Sequence, residues 1–164
     1  MPLEILDERH RQAAVGYVEL GMYLEADAEL DKIDPFCRAA PEVLAVRLGI
    51  YAGLEKWELM QVVAEKLANY DPAEAQWRIS FAYATRRAES IEKAREILLA
   101  ALGSHPEEPT IHYNLACYEC QLGNFGAAKQ YLINATEADQ KFKLMALEDP
   151  DLEPLWFEIG RLEV

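Results

Sequence analysis
PTIHYNLACYECQLGNFGAAKQYLINATEA, residues 109–138, is the stretch whose reading decides the fold. Ile111, Leu115, Tyr118 and Leu122 recur at three- and four-residue steps, which places them on one face of a helix. Gly123-Asn124 breaks the pattern, and Phe125, Ala128, Leu132 and Ala135 begin a second stripe at similar steps. Leu, Ala, Glu and Arg dominate the chain, and β-branched residues seldom follow one another, so helix is favoured over strand. The stretch reads as a helical hairpin whose apolar faces need a partner.

The same pattern returns upstream every 34 residues, without a gap, in units 7–40, 41–74, 75–108 and 109–142. One column reads Ala14, Leu48, Ala82, Ala116, and a second reads Ala26, Met60, Ala94, Ala128. A third is Tyr23, Trp57, Ile91, Phe125, and a fourth is Leu30, Ala64, Leu98, Leu132. The turn column reads Gly21, Glu55, Glu89, Gly123, and unit ends carry Asp34-Pro35, Asp71-Pro72 and His105-Pro106. Small residues paired where two helices cross permit close approach, and stacking of neighbouring hairpins buries what one hairpin leaves open. Unit two departs from this: Leu48 and Met60 are large at the crossing, with Ala64 small in a column otherwise Leu. That exchange of volume predicts a shifted crossing and not a lost repeat.

In these residues the chain resembles the tetratricopeptide repeats, whose unit is a 34-residue helix–turn–helix. The match is clearest at Tyr113-Asn114-Leu115-Ala116, Leu122-Gly123-Asn124-Phe125, Ala128, Leu132 and Ala135. It recurs at Phe81-Ala82, Ala94, Leu98, Ala101 and Pro106, and at Ala13-Ala14, Tyr17, Gly21, Tyr23, Ala26 and Leu30. The resemblance covers residues 7–142. It implies an all-α fold, a right-handed α-solenoid of four repeats forming a single domain over residues 1–164. Residues 143–164 then read as a C-terminal cap: Glu148-Asp149-Pro150-Asp151 stops a helix, and Leu152, Leu155, Trp156, Ile159 and Leu162 form a new stripe. Trp156 is the expected buried anchor of that capping helix.

Charge and composition remove other classes of function. Sixteen Lys+Arg against 29 Asp+Glu leave a net charge of −13, which disfavours nucleic acid and anionic membrane surfaces alike. The N-terminus shows no secretory signal pattern, and the longest apolar run, Ile97 to Leu102, is far too short to span a bilayer. Cys37, Cys117 and Cys120 are too few and odd in number for a disulfide framework, and they fit a reducing cytoplasm.

The residues offer little chemistry. Cys117-Tyr118-Glu119-Cys120 lies mid-helix, where a redox Cys-x-x-Cys would open a helix after a strand, and no second ligand pair completes a zinc site. His10, His105 and His112 make no triad, and His10 and His112 share a repeat column. Ser80, Ser90 and Ser104 lie in no nucleophile elbow, and there is no Gly-rich phosphate loop. The expectation is a protein that is not an enzyme, with no catalytic residue, no metal and no cofactor.

The resemblance implies a concave groove built from the first helices of successive repeats, holding a peptide or helix of a partner protein. Carried over by position, it points to Arg11, Ile79, Tyr83, Arg87, Tyr113, Asn114 and Cys117, with Gln12, Val15, Ala45, Val46 and Gly49 beside them. The Lys/Asn/Arg clamp with which co-chaperones of the family grip acidic C-termini is not matched, since Glu8, Glu42, Gln76, Ala45, Gly49 and Val46 hold those columns. The leading reading is a non-catalytic protein–protein interaction scaffold. Two alternatives stay open: a small acidic secretion-type chaperone for hydrophobic protein segments, and a helical redox or metal protein using Cys117 and Cys120. A homodimer also stays open, as does whether the groove is open or filled by the chain's own tail.

Overall fold
The 34-residue period reappears in the backbone. In the computed structural model, which describes residues 3–161, the helices are α1 (Ile5–Glu19), α2 (Tyr23–Leu30), α3 (Pro41–Gly53), α4 (Trp57–Tyr70), α5 (Ala75–Ala88), α6 (Ile91–Ser104), α7 (Pro109–Gln121) and α8 (Phe125–Ala138). The second helices begin at residues 23, 57, 91 and 125, and the first helices of the last three repeats at 41, 75 and 109. No strand occurs among the described residues, and no helix there is long and apolar enough to cross a membrane.

The turns explain the strict spacing. Gly21, Glu55 and Gly123 adopt positive φ at 72°, 54° and 80°. Beyond each, a backbone N–H reaches back to a carbonyl of the first helix: Met22 to Tyr17 at 2.8 Å, Lys56 to Tyr51 at 2.9 Å, Asn124 to Glu119 at 2.8 Å. This is the Schellman closure of a helix C-terminus. The third repeat solves the turn differently, with Ser90 Oγ accepting the Lys93 N–H as an N-cap.

The first, second and fourth columns are buried throughout, whereas the third is not, and its Phe125 is 43 % exposed. Ala14, Ala26, Ala82, Ala94, Ala116 and Ala128 are 0 % exposed, and Leu30, Ala64, Leu98 and Leu132 are at most 1 %. Leu48 and Met60 are buried in one cluster with the smaller Ala64. Gly53 carries a close approach that only glycine permits: a Cβ there would lie 2.2 Å from the Tyr23 ring.

The chain divides into two compact units, one up to Ala88 and one from Glu89, so the boundary falls in the turn of the third repeat. In the first unit, α2 has eight residues where α4 has 14. Pro35 arrives early and disfavours helix at the residue before it. The loop that replaces the lost turns is tied down. Arg38 donates through Nε to Ile33 O at 2.8 Å and through its guanidinium to Asp31 O, and buried Asp7 accepts the Asp34 N–H at 3.1 Å. Arg47 on α3 reaches Asp27 and Asp31 at 2.7 Å each.

In the second unit, Glu119 on α7 is 1 % exposed and is satisfied by Arg95 from α6 and by Asn124 Nδ2 at 2.7 Å. The cap consists of α9 (Lys141–Glu148), a 3-10 segment (Pro150–Leu155) and α10 (Trp156–Ile159), broken at Asp149-Pro150 and carrying Pro154. Trp156, the expected anchor, is only half-buried; Leu152, Leu155 and Ile159 fill the core at 0–2 % exposure. Trp156 ties the cap instead through its indole N–H, donated to Ala146 O at 2.9 Å and Asp149 O at 3.2 Å. Leu162, also expected in that stripe, lies outside the described residues.

Candidate functional site
The first helices of the first unit leave a cleft of about 410 Å³ between α1 and α3. Val15, Val18, Ala45, Val46 and Gly49 form its apolar floor, and Arg11, Glu19 and Glu42 its charged rim. Arg11 is not a loose cation. It donates two hydrogen bonds to Glu8, at 2.8 and 2.7 Å, and Gln12 Nε2 adds a third at 2.8 Å. These bonds, Arg11 first, hold the Glu8 carboxyl down at about 2. At Gly49 there is room: a Cβ would meet only Val18 Cγ1, at 3.8 Å.

On α5 the expected residues part company. Ile79, expected on the groove, is instead buried at 7 % exposure. Tyr83 is 41 % exposed and meets Trp57 edge-on, ring centroids 5.7 Å apart, while the Arg87 guanidinium lies 4.7 Å over the same indole. Tyr83 and Arg87 are thus brought together on Trp57, which the sequence marked only as a member of the third repeat column.

On α7 the face is occupied. Tyr113 and Cys117, also expected on an open groove, are 6 % and 3 % exposed, because the chain's own tail covers them. Tyr113 Oη donates to Asp149 Oδ2 at 2.8 Å, Cys117 Sγ to the same oxygen at 3.5 Å, and Gln121 Nε2 to Asp151 O at 2.8 Å. The Tyr113 ring also packs on Phe142 at 5.1 Å. Burial, followed by Cys117 and Asp149, pushes the Tyr113 hydroxyl well above the usual tyrosine range. Asn114 turns to its own helix, donating from Nδ2 to Thr110 O at 3.0 Å.

Cys117 Sγ and carboxylate oxygens of Asp149 and Asp151 lie within 4.8 Å of one another. Within that cluster Asp149 is engaged in hydrogen bonds, Oδ2 with Tyr113 and Cys117 and Oδ1 with the Asp151 N–H at 3.0 Å. Cys120 is buried as well, and burial, then Asp151 and Asp149, pushes its thiol up, the opposite of an activated thiolate. His10 and His112, which share a column, make separate hydrogen bonds, His10 Nδ1 with Glu29 at 2.8 Å and His112 Nε2 with Pro106 O at 2.7 Å.

Solved structures share this architecture. An RS-1 double mutant of MamA aligns over 82 % of this chain and 76 % of its own, at 20 % identity and a TM-score of 0.73. PilW, a widely conserved type IV pilus biogenesis factor, aligns over 96 % of this chain and 73 % of its own, at 19 % identity and a TM-score of 0.75. The chain has the tetratricopeptide-repeat fold. No protein-family profile matches it, and no curated protein does.

Within this tetratricopeptide fold, Arg11, Val15, Ala45, Val46 and Gly49, carried over from the resemblance, line one cleft, and what closes the α7 face was not read from the sequence. Asp149 entered the reading as a helix stop. Its second role has one trace in the sequence, an Asp-Pro pair like those at Asp34 and Asp71. Both of those carboxylates likewise accept the N–H two residues on, at 2.9 and 3.2 Å.

Proposed function
We propose that this chain is a non-catalytic interaction module, with both units belonging to one repeat domain, and that it binds a peptide or helix of a partner protein. The observation that carries this reading is the α1/α3 cleft, an apolar floor bordered by charge and of a size usual for binding sites. Apolar anchors of a partner helix would fill the floor, and Arg11, Glu19 and Glu42 would set its polar register. Tyr83, Arg87 and Asn114 are proposed as further contacts, whereas the α7 face is held by the chain's own tail. Three free thiols support a reducing compartment such as the cytoplasm as the place of action.

The test compares wild type with Ala45→Arg, which lays a long charged side chain across the floor, after circular dichroism has verified equal helicity. Proteins captured from the native extract are quantified with each. Partners held by wild type are expected to fall about tenfold or more with Ala45→Arg, and to persist with Tyr113→Phe. Equal capture by wild type and Ala45→Arg would refute the cleft as the binding site.

A further inference from the structure
At the loop end of the first unit, Phe36 is 95 % exposed and Tyr70 is 70 % exposed. Both border one pocket of about 480 Å³, whose walls include Cys37, Ala40 and Glu42. Phe36 does not owe its exposure to a loose loop. Its N–H is held by Asp34 Oδ1 at 2.9 Å, the Cys37 N–H by Asp34 O at 2.8 Å, and Arg38 grips the carbonyls of Ile33 and Asp31. A large aromatic ring presented to solvent on a hydrogen-bonded loop is pre-ordered for contact, so little entropy is lost when a partner covers it.

The surroundings of the pocket are acidic. Asp34 precedes Phe36, Glu42 is on the wall, and Asp71 and Glu74 follow Tyr70 in the α4–α5 turn. Tyr70 is also the last residue of α4, at the negative end of a 14-residue helix. The basic side chains of the α2 end are engaged internally, Arg38 on backbone carbonyls and Lys32 on Glu29 at 2.6 Å. The Cys37 thiol on the pocket wall is pushed up, by burial first and then by the carboxylates of Asp7 and Asp34. A second copy of this chain, with a net charge of −13, would meet its own sign here.

We infer that the Phe36–Tyr70 pocket is a second docking site, which takes an arginine- or lysine-bearing segment of a partner protein. A guanidinium or ammonium stacks on the two exposed rings, the Glu42 carboxylate on the wall faces its charge, and Asp71 and Glu74 in the turn after Tyr70 add to the negative field. The site shares Glu42 with the rim of the α1/α3 cleft but is otherwise lined by different residues, and it adds a basic determinant to the partner.

The probe is the peptide acetyl-(Arg-Ala)3-amide, titrated into the full chain at about 0.15 M salt, where charges beyond about 8 Å are largely screened. Binding is followed by calorimetry and by amide chemical shifts. Shifts are expected at residues 34–42 and 70–74. The affinity should fall about tenfold in Phe36→Ser/Tyr70→Ser, two substitutions of exposed side chains. Asp71→Asn/Glu74→Gln, which retains the backbone-capping oxygens, should weaken it similarly, whereas Glu107→Gln/Glu108→Gln should not. Ala45→Arg leaves both rings in place, so the shifts at residues 34–38 and 70–74 should persist, and failure of this site and failure of the cleft are told apart. Shifts spread over the acidic surface, equal losses in the Glu107/Glu108 control, or no binding up to about 1 mM would overturn the inference.

Discussion

Replacing Tyr113 by Phe removes one oxygen from the contact that holds the tail against α7. The ring keeps its place against Phe142, at 5.1 Å, so the loss is confined to the 2.8 Å hydrogen bond donated to Asp149 Oδ2. A hydrogen bond to a charged acceptor contributes about 1.5–3 kcal/mol. Asp149 is half-buried and retains the Asp151 N–H and the Cys117 thiol, so the lower figure, about 1.5 kcal/mol, applies here. If the tail opens locally, that loss raises its open population by about tenfold. Native-state hydrogen exchange reads this directly at the amides of Asp151 and Leu152, whose N–H groups bond back to Asp149. Urea unfolding gives the global value.

The Tyr113 hydroxyl is raised above its ordinary value of 10, so the stability it contributes is complete below pH 10 and is lost as the pH climbs past that point. The deficit of Tyr113→Phe should therefore shrink above pH 10. Exchange rates at Asp151 and Leu152 equal to those of wild type, with unchanged urea stability at neutral pH, would refute the account of the tail.

Three further outcomes follow from the repeat geometry. Glu55 sits at φ 54° where its column has glycine twice; Glu55→Gly should remove about 1–2 kcal/mol of left-handed strain and return part of it as backbone entropy, a net gain of about 0.5–1 kcal/mol in urea unfolding. Gly53→Ala drives a methyl to 2.2 Å from the Tyr23 ring, so it should lower stability by about 1–3 kcal/mol, and most of that cost should vanish in a Tyr23→Ser background. The Glu8 carboxyl, held at about 2 against an ordinary 4.5, contributes stability above pH 4.5 that is lost as the pH falls toward 2; the melting temperature should drop through that window, and less steeply in Glu8→Gln.

The periodic part of the molecule was legible because each repeat is a local problem solved four times. Alanines 34 residues apart mark helix crossings, and those side chains are buried because a methyl is what lets two backbones approach. Turn glycines could be read for the same reason, since positive φ is a local demand. The resemblance, carried over by position, pointed to Arg11, Val15, Ala45, Val46 and Gly49, and these side chains line the cleft between α1 and α3.

Tertiary structure decided the rest. Whether Tyr113 and Cys117 face a partner or the chain's own tail depends on Asp149, 36 and 32 residues away, and no periodicity links them. Asp7 is buried as an acceptor for Asp34, 27 residues on, because an early proline shortened α2 and left a loop to be anchored. Trp57 became the platform for Tyr83 and Arg87 only once α4 and α5 were packed. Repetition is written into the order of residues along one helix and its neighbour. Closure of a face depends on which distant side chains arrive there, and that is set by the packed fold.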